Sequence, residues 1–141
     1  MVVVALVAIL AALAAPSFIG AIANQRVNSA SQEVQVLLQF ARAEAVFKRT
    51  QSSVTADGQK WEAKVGAAVL RETVLPAAVT VEAGSANGVV FEVTGAARPA
   101  VGSAPYTLKF SATQASRVQC LSVTGAGLVR QQRVAAGQSC P

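Results

Sequence analysis

The sequence contains no histidine and only 2 cysteines, at positions 120 and 140. Pairs of serine or cysteine with histidine, and metal sites of the common cysteine and histidine type, are therefore excluded. No glycine-rich phosphate-binding motif follows a predicted strand. The 7 carboxylates stand singly along the chain, which leaves little for general acid–base catalysis. The sequence thus predicts a protein that is not an enzyme and that needs no metal and no cofactor.

Acidic residues are missing from the C-terminal part of the chain, after Glu92. Up to that point the 7 acidic residues balance seven of the 12 basic ones, so the net charge of +5 arises from the cations that follow: Arg98, Lys109, Arg117, Arg130 and Arg133. Such asymmetry indicates a surface that meets an anion, with nucleic acid, a lipid headgroup and an acidic neighbouring subunit as the candidates. A generally basic soluble surface is the alternative.

The first 25 residues have no charged side chain of either sign, and the first charged residue is Arg26. Residues 1–15 are apolar throughout, and the apolar segment extends to Ala23, which is long enough for a helix to span a bilayer. A cleaved signal peptide would need basic residues before the apolar core, and none is present. We therefore expect residues 1–23 to form a retained helix in a membrane or in a filament core, with a cleaved signal as the alternative.

This run, Met1-Val-Val-Val-Ala-Leu-Val-Ala-Ile-Leu-Ala-Ala-Leu-Ala-Ala-Pro16-Ser17-Phe18, resembles the N-terminal helix of type IV pilins and type II secretion pseudopilins. In that family a basic leader ending in glycine, and then Phe-Thr-Leu-Ile-Glu, come before such a run. The printed sequence begins after those residues, so either the translation start lies upstream of Met1 or the sequence is trimmed. The resemblance implies a single-pass helix in the bacterial inner membrane, N-terminal methylation, and assembly with other pilin or pseudopilin subunits.

The helical pattern continues over residues 24–52, which we expect to form an amphipathic continuation of the same helix. Its apolar positions recur every three or four residues and predict one face that packs on a head domain: Val27, Ala30, Val34, Leu37, Ala41 and Ala45. The stretch Phe40-Ala41-Arg42-Ala43-Glu44-Ala45 resembles Leu-Ala-Arg-Ser-Glu-Ala of the GspH/FimT subgroup, which comprises minor pilins and minor pseudopilins. By themselves, Arg42 and Glu44 have the pattern of a solvated helix face.

Residues 53–141 change to a strand pattern, and predict a β-rich pilin head with an antiparallel sheet or two. The chain as a whole is therefore expected to have an α+β fold, in which a long, pilin-like N-terminal hydrophobic helix packs on an antiparallel β-sheet head. Asp57-Gly58 predicts a type I′ hairpin turn, Trp61 is expected in the core or at its rim, and residues 96–105 are expected to form a surface loop. The predicted strands are 54–56, 60–65, 70–75, 79–82, 89–94, 106–112, 117–124 and 127–134.

The family resemblance places the head in the periplasm, or outside the cell once the subunit is in a filament. In an oxidising compartment two cysteines are expected to form a disulfide. We therefore predict a bond between Cys120 and Cys140 that ties the C-terminal tail to a strand, with two free thiols as the alternative.

The last predicted hairpin resembles the Gly-Arg-x-Arg pattern of the FimT-like branch, whose arginines are implicated in binding DNA during natural transformation. Gly127 and Arg130 match this pattern, and Leu128 replaces its first arginine. The candidate DNA-binding residues are Arg130 and Arg133, joined by Arg117 from the preceding strand. Such a site would neutralise phosphates and would not read base sequence.

Arg130 and Arg133 would point to opposite faces of a regular strand. They could converge only at a turn, an edge or a tip, and two solvated arginines are the alternative. We predict a minor type IV pilin-like subunit that takes part in pilus assembly and binds double-stranded DNA non-specifically. The other candidate is an H-type minor pseudopilin of a type II secretion system that does not bind DNA.

Overall fold

The computed structural model describes residues 2–83, 88–102 and 105–141, and for residue 5 and residues 8–17 it describes the backbone alone. Over this part of the chain, one long helix is followed by nine strands. The elements are α1 (Val2–Lys48), β1 (Ser52–Asp57), β2 (Lys60–Val65), β3 (Ala68–Val74), β4 (Val79–Ala83), β5 (Val89–Phe91), β6 (Ala97–Pro99), β7 (Tyr106–Ala112), β8 (Arg117–Val123) and β9 (Val129–Ala135).

The strands form two antiparallel sheets, and α1 packs against both of them. The first sheet has the order β3-β2-β1-β5-β6, and the second has the order β4-β7-β8-β9. Buried side chains of α1 and of both sheets form one hydrophobic core. The predicted α+β fold is confirmed.

The apolar stripe of α1 is the centre of the core. All six stripe residues predicted from the sequence are buried, with Val34 and Ala45 completely inaccessible to solvent. Three alanines in the stripe let the helix backbone approach the strands closely. Large side chains from both sheets fill the remaining space: Trp61, Phe91, Leu108, Phe110 and Leu121.

The beginning of α1 has no such cover. Val2 is 74% exposed, Phe18 is 66% exposed and Ile22 is 52% exposed, although a helix in water normally turns apolar side chains of this size inward. Within the described residues, no helical stretch combines the length and the hydropathy that a membrane crossing requires. The span predicted for residues 1–23 includes ten consecutive positions, 8–17, whose side chains lie outside the described residues, and it stays a prediction.

The first hairpin forms as predicted, but its turn lies one residue later. Asp57 pairs with Lys60, so Gly58 and Gln59 are the two central residues of the turn. Gly58 has a φ of 58°, whereas neither Asp57 nor Gln59 has a positive φ. A type I′ turn needs positive φ at both central residues, so the type I′ prediction is wrong. Glycine at the first central position is typical of a type II′ turn.

The surface loop predicted for residues 96–105 is wrong at its start, because Ala97–Pro99 form strand β6. A tight turn at Gly95, with a φ of 81°, reverses the chain after β5, and Ala97 then pairs with Phe91. Proline lacks a backbone N–H and is confined to sheet edges, and Pro99 lies on the edge strand of this sheet. Residues 103–104 of the predicted loop lie outside the described residues.

Candidate functional site

The three candidate arginines lie on the two last strands, and the strand register decides which of them share a face. Arg133 pairs with Gln119, and Arg130 pairs with Ser122. Gln131 donates a hydrogen bond to Ser31 of α1 at 2.9 Å, so the odd-numbered side chains of β9 face the helix. Arg133 therefore lies on the helix side and Arg130 on the outer side. The opposite orientation predicted for a regular strand is confirmed.

Arg117 and Arg133 line one cleft between the head and α1. The cleft has a volume of about 150 Å³, and its helix side is formed by Ala21, Asn24 and Asn28, among others. Arg130 does not line it. The structure thus brings two of the three predicted site residues together beside the helix and leaves the third on the outer face of β9, which is the edge strand of its sheet.

The candidate arginines have no carboxylate partner among the described residues. Other cations do: Lys109 lies 3.1 Å from Glu82, and Arg98 lies 2.9 Å from Glu92. The hydrogen bond from Arg98, followed by one from Gln51, lowers the pKa of Glu92. These two pairs neutralise cations elsewhere on the head, whereas no ion pair among the described residues neutralises Arg117 or Arg133.

The outer face of the first sheet is also charge-balanced. Lys60 lies 2.7 Å from Glu62 and 2.9 Å from Glu72, and Lys64 lies 2.6 Å from Glu62. The hydrogen bonds from Lys60 and then Lys64 lower the pKa of Glu62 to about 2, and the same contacts raise the pKa of Lys60. This face therefore does not compete with the helix-side cleft as an anion site.

A ladder of uncharged hydrogen bonds joins α1 to the β8–β9 part of the head, beginning at residues that line the cleft. Asn24 donates to Ser116 at 3.1 Å and accepts from the backbone N–H of Arg117 at 3.1 Å. One step higher, Gln119 donates to Asn28 at 3.5 Å, and the bond from Gln131 to Ser31 follows. Buried polar groups are costly unless they are paired, and Ser31 is fully buried. This ladder fixes the position of the two arginine-bearing strands on the helix.

Sequence reasoning missed this ladder. Its signal was present in the sequence, because Ser31 lies next to Ala30 of the apolar stripe and Gln119 shares one face of a predicted strand with Leu121 and Val123. A polar residue at an inward-facing position is the pattern of a side chain with a specific partner.

Arg42 is the second feature that the sequence reading undervalued. Instead of lying on a solvated face, its Nε donates to the carbonyl oxygen of Gly95 at 3.1 Å and its Nη2 donates to that of Ala126 at 3.3 Å. Arg42 thus fastens the β5–β6 turn and the β8–β9 turn to the helix. The GspH/FimT-like stretch around it was the available signal. Glu44 of the same stretch instead lies 2.8 Å from Lys48 on the helix surface.

The two cysteines form the predicted disulfide. Cys120 and Cys140 are bonded, with 5.6 Å between their Cα atoms. Cys120 pairs with Gln132 across the sheet, which places it on the outer face together with Arg130. The bond therefore holds the C-terminal tail against the side of the sheet that faces away from α1.

Comparison with known proteins agrees with this architecture. The family model described as "Type II transport protein GspH" matches residues 30–127. No curated protein sequence matches the chain. Among solved structures, the type IV minor pilin FimU of Pseudomonas aeruginosa is similar with a TM-score of 0.67 and 24% identity, over 77% of this chain and 89% of FimU.

A second similar structure is the minor pseudopilin EpsH from the type 2 secretion system of Vibrio cholerae. Its TM-score is 0.55 and its identity is 16%, over 78% of this chain and 96% of EpsH. At these identities the two structures show a shared fold. The family match covers most of the chain: the C-terminal part of α1, strands β1 to β8 and the Gly127 turn. This protein therefore belongs to the GspH family of minor pilins and pseudopilins.

Proposed function

We propose that this chain is a minor type IV pilin-like subunit that takes part in pilus assembly. Residues 1–23 would hold it in the bacterial inner membrane with its head in the periplasm, and would pack against other pilin subunits once it is in a filament outside the cell. The observation that carries the proposal is the exposed apolar start of α1. Apolar side chains such as Val3, Leu6 and Phe18 need either lipid or neighbouring helices around them.

Cell fractionation tests this role. An arginine in place of Leu6 should release the full-length chain from the inner membrane and remove it from sheared filaments, because a charge inside a membrane helix costs about 3 kcal/mol. Gln39→Arg, on the exposed part of the packed helix, is the matched control and should leave both fractions unchanged. Wild-type protein found entirely in the soluble periplasmic fraction would contradict the proposal.

The alternative partner system is a type II secretion pseudopilus, in which the chain would be an H-type subunit. Deleting the gene separates the two. Loss of surface pili with normal protein export supports the pilus, and blocked export with normal pili supports the secretion system.

DNA uptake is a second candidate function, and the position of β9 favours it. Because β9 is an open sheet edge, Arg130 and Arg133 can reach around that edge from its two faces, and neither has a carboxylate partner among the described residues. Binding would depend on phosphate contacts and would fall steeply with added salt. Arg117, the first residue of β8, adds a positive charge on the strand that pairs with β9.

A mobility-shift titration of the full-length chain in detergent, with a random-sequence duplex, tests DNA binding. Each of Arg130→Gln and Arg133→Gln should weaken binding and reduce the salt slope by about one. Lys60→Gln, which removes a charge already paired with carboxylates, is the control and should bind like wild type. Unchanged mobility at low salt with micromolar protein would exclude DNA binding.

A further inference from the structure

The Arg117–Arg133 cleft lies beside α1 just after the apolar run of residues 1–23. The helix residues that line it begin at Ala21 and include Asn24 and Asn28. The turn that connects β7 to β8 extends lower still, because a side chain on Gly20 would meet the carbonyl oxygen of Gln114 at 3.6 Å. The base of the head therefore lies at the level where the apolar run of residues 1–23 ends.

The other flank of α1 at this height has a second cleft of about 200 Å³. Its lower part is apolar, with Ile19 and Ile22, and Arg26 lies one helical turn above Ile22. Both isoleucines are about half exposed, at 49% and 52%. The order from apolar to cationic along the helix matches the order from acyl chain to phosphate in a phospholipid leaflet.

Both clefts lack acidic side chains. The lining residues include no aspartate or glutamate, and the sequence has no acidic residue before Glu33 or after Glu92. The first cleft instead offers two guanidinium groups and the amide side chains of Asn24, Gln25 and Asn28. Guanidinium groups bind phosphate oxygens in a two-pronged geometry, and amide groups supply further donors.

We propose that the Arg117–Arg133 cleft binds the phosphate of an anionic phospholipid headgroup, such as phosphatidylglycerol, while the subunit is in the membrane. This inference rests on the proposed membrane helix, because only a head placed at the bilayer surface brings the cleft to headgroup depth. Arg26 contacts headgroups on the opposite flank. These cationic residues at the base of the head thereby determine the depth and the tilt of the head at the membrane surface.

Arg130 separates this inference from DNA binding. It lies on the outer face of the same strand, three residues from Arg133 and so roughly 10 Å farther from the base of the head. Lipid binding in the cleft should not need Arg130, whereas the DNA site described above includes it. Arg130→Gln also removes one positive charge, like Arg117→Gln or Arg133→Gln, and is therefore a matched control for charge alone.

The test is native mass spectrometry of the full-length chain released from detergent, with equal amounts of phosphatidylglycerol and phosphatidylcholine. The wild type should retain phosphatidylglycerol preferentially. That preference should fall about fivefold for each of Arg117→Gln and Arg133→Gln, and should be unchanged in Arg130→Gln. The fluorescence of Trp61, the sole tryptophan and a buried one, checks that every variant is folded.

Four results would overturn the lipid site. The first is equal retention of the two lipids by the wild type, and the second is an equal loss of preference in Arg130→Gln. The third is displacement of phosphatidylglycerol by inorganic phosphate at the same concentration, which would assign the cleft to free phosphate. The fourth is displacement by duplex DNA that requires Arg130, which would assign the cleft to DNA. A chain that stays monodisperse without detergent would contradict the membrane helix itself, whereas a detergent-dependent chain with no lipid preference contradicts only the headgroup site.

Discussion

Gly127 lies directly against Arg42. A Cβ atom on Gly127 would lie 2.8 Å from Nε of Arg42 and would overlap the carbonyl oxygen of Gly95. The residue also has a φ of 77°, which side chains other than glycine rarely adopt. The two sequence stretches that resemble the GspH/FimT subgroup, one in the helix and one in the last hairpin, thus meet where the side chain of Arg42 contacts the Gly127 turn.

Replacing Gly127 by alanine should lower the free energy of unfolding by about 2 kcal/mol or more. The new methyl group meets backbone and a hydrogen-bonded guanidinium, and the positive φ adds strain. Thermal unfolding followed by Trp61 fluorescence measures the change. Gly125→Ala, in the same turn, has open space around its Cβ and no positive φ, and should change stability little. Equal effects of the two substitutions would contradict the close approach.

Arg42→Lys should destabilise the head by about 1–2 kcal/mol, although it keeps the charge. A lysine ammonium cannot donate to Gly95 and Ala126 in the fixed fork of a guanidinium. Urea unfolding of both proteins measures the difference. Arg130→Lys, at an exposed position, is the control and should be neutral. A neutral Arg42→Lys would mean that the two turns hold their positions without the helix.

Reduction of the Cys120–Cys140 bond should lower the free energy of unfolding by about 3 kcal/mol, because the bond closes a loop with a sequence separation of 20 residues. Cys140→Ser should reproduce the loss, and adding reductant to this variant should cause no further change. Unfolding midpoints with and without dithiothreitol provide the measurement. A reductant effect that persists in Cys140→Ser would show that the loss has another origin.

Acid should weaken the head as Glu62 is protonated. The pKa of Glu62 is lowered from its ordinary value of 4.5 to about 2 in the folded protein, so folding favours the ionised form. The stabilisation is complete above the unfolded pKa and disappears as the pH falls from about 4.5 to about 2.

Carboxyl NMR titration of Glu62 tests this directly. Lys60→Met should raise the pKa of Glu62, because it removes the hydrogen bond that contributes most to lowering this pKa. A Glu62 carboxyl whose pKa in the wild type is the ordinary value of a free glutamate would contradict the ion-pair geometry.

The fold could be predicted because apolar residues recur with a helical period in the N-terminal part of the chain, and with a strand period in the head. Burial of Val34 and Ala45 follows from three- and four-residue spacing, and Gly58 marks the first hairpin. Strand β6 could not be predicted, because Ala97, Arg98 and Pro99 have low strand propensity and pair only because Gly95 returns the chain alongside β5.

The site was only partly predictable. That Arg130 and Arg133 face apart follows from the two-residue period of a strand. The association of Arg117 with Arg133 depends on the β8–β9 register, and the role of Arg42 depends on contacts with Gly95 and Ala126, which are distant in sequence. Local pattern contains no information on such pairings.

The hydrogen-bond ladder between α1 and the last two strands has a mechanical consequence. Along the helix, Asn24, Asn28 and Ser31 follow one another in the same direction as their partners along the β8–β9 pair: Ser116, Gln119 and then Gln131 of β9, which lies opposite Leu121 of β8. Helix and strands therefore lie side by side along the ladder. A pull along the helix axis would therefore load all rungs at once in shear and would not peel them apart one by one. Since no rung carries a charge, the resistance should be the same in low and high salt.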